Sequence, residues 1–109
     1  MNEMTIKEGK NTAIIAYLTI IGCIIALFMN QEPKNMYARM HIRQAFGIHI
    51  TYFLLGFLVS MFNSWFISAP FYIFVIVLWG FGFINALQGV SQPVPLVGKK
   101  FQQWFTFIQ

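Results

Sequence analysis

Three apolar runs, each long enough to cross a lipid bilayer and none carrying a fixed charge, constrain this chain more than any other feature. They cover residues 12–29 (TAIIAYLTIIGCIIALFM), 45–62 (AFGIHITYFLLGFLVSMF) and 66–87 (FISAPFYIFVIVLWGFGFINAL). At 1.5 Å per helical residue such runs reach about 27 to 33 Å, the thickness of a bilayer's hydrocarbon core. A chain of 109 residues that is 58% hydrophobic and 9% charged cannot hide that much apolar surface in one water-soluble core. The fold expected is all-α: a single polytopic membrane domain with three transmembrane helices at about 12–29, 45–62 and 66–88. Pro70 falls near the start of the third, where early helical N–H groups lack partners anyway. A signal peptide is the other reading of the first run. Its length, and the lack of a small-x-small cleavage site after Phe28 and Met29, argue against that.

The ten charges are Glu3, Glu8 and Glu32 with Lys7, Lys10, Lys34, Arg39, Arg43, Lys99 and Lys100. They flank the apolar runs instead of lining a soluble face, which excludes a nucleic-acid binder and fits headgroup contacts that set topology. With three spans, residues 30–44 and the C-terminal tail share one side and carry five bases against two at the N-terminus. That balance predicts loop and tail in the cytoplasm and the N-terminus outside. Cys23 is the only cysteine, so it forms no internal disulfide.

Two further segments read as amphipathic interfacial helices. After Pro33, residues 34–44 pair Met36 with Met40 and Arg39 with Arg43 at helical spacing, an apolar stripe beside a basic one. The basic pair also fits charges that snorkel from a helix end. In the tail, residues 99–109, Phe101, Trp104, Phe105 and Ile108 recur at i, i+3, i+4 and i+7 behind Lys99 and Lys100. This pattern suits either an anionic lipid surface or packing on the protein's own helices or a partner's. Between them, residues 89–98 (GVSQPVPLVG) resist helix formation and are too apolar for a solvated linker. The pairs Gly22 and Ala26, Gly56 and Ser60, and Gly82 and Ala86 permit close helix approach in lipid.

The candidate site is polar. His41, Arg43, Gln44, His49, Asn85 and Gln88 converge near one membrane face when the second and third helices are antiparallel. They form either a pocket for a headgroup, peptide or partner, or a set of interhelical hydrogen bonds. His41 and His49 lie about 12 Å apart along a straight helix and cannot share a metal. No carboxylate pair, Cys–His arrangement or glycine-rich phosphate loop is present, so neither enzyme activity nor a cofactor is expected.

The segments YARMHIRQAFGIHI and INALQGVSQPVPLVGKKFQQWF resemble small bacterial relatives of the chloroplast inner-envelope import component, the Tic-twenty family. The matching positions are Tyr37, Ala38, Arg39, His41, Gln44, Ala45, Asn85, Ala86, Gly89, Pro95, Leu96 and Gly98. The resemblance implies an all-helical membrane protein, an accessory or structural subunit linked to translocation or assembly, with other membrane subunits as partners. Arg39, His41, Arg43, Gln44, His49, Asn85, Gln88, Lys99, Lys100 and Trp104 are the candidate contact residues. The alternative function is a small oligomeric transporter or channel, with His49, Asn85 and Gln88 near the pathway.

Overall fold

The computed structural model describes residues 3–95 and 97–108. Leu96 and Gln109, assigned above to the apolar link and the tail helix, lie outside them. Five helices follow in order: α1 (Glu3–Leu18), α2 (Ile20–Met29), α3 (Met36–Ser60), α4 (Trp65–Gln88) and α5 (Gly98–Trp104). No strand occurs among the described residues.

The first apolar run is not one helix. Thr19 takes an extended backbone, and its hydroxyl accepts the Gly22 N–H at 3.0 Å, which ends α1 and caps α2. The chain then reverses. Gly22 comes back against the Ile15 carbonyl, Cys23 reaches the Ile42 carbonyl of α3, and Asn30 bonds to Asn35 at the start of α3. Asn35 in turn bonds to Thr5 near the start of α1. Hydropathy measures only how much of a segment is apolar. A capping threonine and a glycine that lets two backbones touch turned an apparent span into a helical hairpin. The N-terminal segment therefore lies at the same end as residues 30–35, not at the opposite end.

Two helices, α3 and α4, are long and apolar enough to cross a membrane. They are antiparallel and joined at residues 61–64, where Asn63 adopts a positive φ and Ser64 caps α4. Gly89, at φ 75°, closes α4, with the Val90 N–H reaching back to the Asn85 carbonyl. Residues 36–44 are not a surface helix. Asn35, and not Pro33, caps α3, and Tyr37, Ala38, Met40, His41, Ile42, Gln44, Ala45, Gly47 and Ile48 are buried. Burial at nine of these positions means that neighbours cover most of this half of α3, leaving only the stripe of Met36, Arg39, Arg43 and Phe46 exposed or half-buried. α1 and α2 pack on this half of α3, α4 runs alongside, and residues 90–95 with α5 close much of the remainder.

The other half of the α3–α4 hairpin has no such cover. Phe53, Leu54, Phe57 and Leu58 of α3 are exposed, as are Trp65, Phe66 and Ile73 of α4. The molecule is thus elongated, 47 × 22 × 22 Å, with a packed, charged end and a bare apolar end. All ten charges belong to the packed end, since residues 44–98 contain none.

Candidate functional site

At the packed end a buried chain of hydrogen bonds joins three elements. Tyr17 of α1 and His41 and Gln44 of α3 are each fully buried. The Val94 N–H donates to Gln44 Oε1, Gln44 Nε2 donates to the Tyr17 oxygen at 3.1 Å, and Tyr17 contacts His41 Nδ1 at 2.7 Å. His41 Nε2 completes the chain at the Val90 carbonyl, 2.9 Å away. A carbonyl can only accept, so Nε2 carries a proton, and in the neutral imidazole Nδ1 then accepts from the Tyr17 hydroxyl. Both ends of the chain are backbone groups of the segment after α4. Each partner uses its polar atoms on another, so the chain offers no group to a substrate. It holds residues 90–94 against the helices.

A second set of side chains satisfies backbone that the break at Thr19 exposes. His49 Nε2 lies 3.3 Å from the Ala16 carbonyl, and Trp79 Nε1 donates to the Tyr17 carbonyl at 2.6 Å. These are last-turn carbonyls of α1, which have no partner within their own helix. In an apolar medium such groups need protein partners, because no water reaches them. Tyr37 reaches the last turn of α4, its hydroxyl shared between the Ala86 carbonyl and the Asn85 carbonyl, which also accepts the Val90 N–H.

Arg43 fastens the tail. Its Nε donates to the Ile108 carbonyl at 2.9 Å, with Gln102 and Thr106 carbonyls at 3.5 and 3.4 Å from its terminal nitrogens. Gln102 bonds back to the Met40 carbonyl, and Phe101 lies against Gly47. The aromatic face of the tail therefore packs mainly on α3: Phe101 and Ile108 are buried and Phe105 meets Phe46 edge to face, while Trp104 points outward. Arg43→Ala should free the tail, and limited proteolysis between Gln102 and Phe107 should speed by roughly ten- to a hundredfold, as loss of a charged hydrogen-bond donor costs about 1.5–3 kcal/mol. Unchanged cleavage would show that Phe101 and Ile108 hold the tail unaided.

The predicted site residues thus divide. His41, Gln44, Arg43 and His49 pair with backbone or with Tyr17. Lys99, Lys100 and Gln88 are exposed at the charged end, and Arg39 is half-buried on α3. Asn85 is half-buried, and its side-chain nitrogen has no partner among the described residues. They do not line a common pocket. Sequence reasoning missed Tyr17, Trp79, Asn30 and Asn35. Tyr17 had a signal: a hydroxyl in an apolar run must find a partner.

Residues 8–101 match the family model described as the magnetosome magnetite crystal formation protein family. The chain belongs to that family. It is a small, all-helical membrane protein. No curated protein and no solved structure gives a significant match. The match corrects the resemblance to the chloroplast import family, and the expected link to translocation falls with it. The residues that carried that resemblance explain the error. Tyr37, His41, Gln44 and Gly89 serve helix capping and the buried chain, so they report how the chain packs.

Proposed function

We propose that this protein is a non-enzymatic structural component of a membrane, anchored by two spans, α3 and α4, with both described ends of the chain on the cytoplasmic face. The observation that carries this reading is the use of the buried polar residues: His41, Gln44, His49 and Tyr17 are committed to one another and to internal backbone groups. The surface left over is an apolar hairpin and a base-rich end.

The family description supports a magnetosome membrane as the compartment, and the chemistry of this chain favours a role in that membrane over one at a mineral. Iron ions in an oxide are hard and favour oxygen ligands such as carboxylates. The three carboxylates here are Glu3, Glu8 and Glu32, all at the end that holds the seven bases. The tip opposite, residues 61–66, carries none. Orientation follows from the same asymmetry, because the basic end stays cytoplasmic. Anionic headgroups and other membrane proteins are the partners this arrangement suits.

Single cysteines at Lys7, Lys34 and Gln103 should all react with an impermeant maleimide from the cytoplasmic side, and one at Phe62 only from the other. Cys23 should stay silent, being buried. Labelling of Lys7→Cys from the same side as Phe62→Cys would restore the three-span topology and defeat this reading.

A further inference from the structure

We infer that the protein is a wedge in the bilayer, broad in the leaflet at its charged end, and that the surface it fits is a membrane convex on that side. The inference rests on the two-span reading and adds a preference for membrane shape. It starts from where α1 and α2 stop. Their connection is fixed at Tyr17 and Ala16 by Trp79 and His49, both well along their own helices and far from the α3–α4 turn. His49 is about 20 Å from the start of α3 and about 18 Å from Met61. The α1–α2 hairpin therefore ends near the middle of the spans.

Past that level only two helices remain. They touch through Gly56 and Phe71 and through Tyr52 and Tyr72. Their outer faces, with Phe53, Phe57, Ile73 and Trp65, are bare. In the charged half the same two helices are joined by α1, α2, the 90–95 segment and α5. A helix is about 10 Å across, so α1 and α2 alone add on the order of 150 Å² of cross-section to one leaflet. Lys7, Lys10, Lys34, Lys99 and Lys100 keep the broad end at the headgroups. A body wider in one leaflet spreads that leaflet, and the cost is least where the membrane already curves that way. Insertion confined to one leaflet is curvature-sensitive for the same reason. A second copy seated on the bare hairpin would fill out the narrow half and remove the preference.

The test adds the full-length Phe62→Cys chain from detergent to a mixture of small sonicated and large extruded vesicles of pure phosphatidylcholine. Lipid without net charge removes electrostatic attraction from the comparison. After separation by size, protein per lipid should be about twofold or more higher in the small vesicles. The Phe62→Cys thiol should be protected from impermeant maleimide there, placing the charged end on the convex face. Equal density in the two sizes, or a reactive thiol in the small vesicles, would overturn the wedge while leaving the two spans in place. Protein stripped from both sizes by alkaline carbonate would overturn the two-span reading and the wedge together.

Discussion

Replacing Gly22 with leucine should make Cys23 reactive toward thiol reagents, whereas Gly80→Leu should leave it silent. A Cβ built on Gly22 lies 2.4 Å from the Ile15 carbonyl oxygen, too close for any real contact. The obstacle is backbone, so no side-chain rotation relieves it, and α2 must lift away from α1. Cys23 is the next residue, fully buried with its sulfur against the Ile42 carbonyl. Lifting α2 exposes it. Overpacking of this kind costs about 1–3 kcal/mol, so its labelling should quicken by roughly ten- to a hundredfold. Gly80 meets nothing within 4 Å and supplies the control on an open helix face.

The sign of the stability change is as informative as its size. Were residues 12–29 one straight span, Gly22 would sit in a helix interior, and Gly22→Ala would stabilise by about 0.5–1 kcal/mol. The hairpin predicts destabilisation for alanine as well, since the Cβ is the atom that clashes. Thermal unfolding in mild detergent, followed by tryptophan fluorescence, measures it. A Gly22→Ala protein that melts higher than wild type would refute the reversal at Thr19.

Much of the hairpin formed by α3 and α4 was legible because it depends on properties local to each segment. The run at 66–88 falls within α4, the run at 45–62 overshoots the end of α3 by Met61 and Phe62, and the junction expected at 63–65 overlaps the turn through Asn63 and Ser64. The failures arose where distant segments decide. Residues 36–44 look amphipathic alone, with Met36 exposed and Met40 buried, yet His41 and Gln44 are covered by chain from residues 90–94 and Arg43 is tied to the tail at 102–108. Periodicity does not record what folds back over a helix. The tail shows the same limit from the other side. α5 ends at Trp104, so Ile108 reaches the core through a turn and not through the i+7 position of a helix. Within the site, His41 and Gln44 were found as polar residues on one helix. Their shared partner, Tyr17, sits on another, in a run that hydropathy had read as featureless.

That partner is where the largest polar effect is expected. Tyr17→Phe keeps the ring that packs against Gly82 and His41 and removes one oxygen. The loss strands two buried groups: Gln44 Nε2 loses its acceptor and His41 Nδ1 loses its donor. Each such group costs about 1–3 kcal/mol, so the variant should be destabilised by roughly 2–5 kcal/mol. The damage should spread to the segment after α4, because Gln44 and His41 hold Val94 and Val90. Hydrogen exchange at the Val94 amide should therefore quicken in Tyr17→Phe, although residue 17 makes no contact with that amide. Gln44→Leu removes the Val94 acceptor directly and should match it there. If the three side chains act as one unit, the double variant Tyr17→Phe with Gln44→Leu should cost less than the two single changes added together, because the second change removes a donor that the first had stranded. Strict additivity, with wild-type exchange at Val94 in Tyr17→Phe, would mean that the chain is a set of separate bonds. The segment bearing Lys99 and Lys100 would then be held by Arg43 and Phe101 instead.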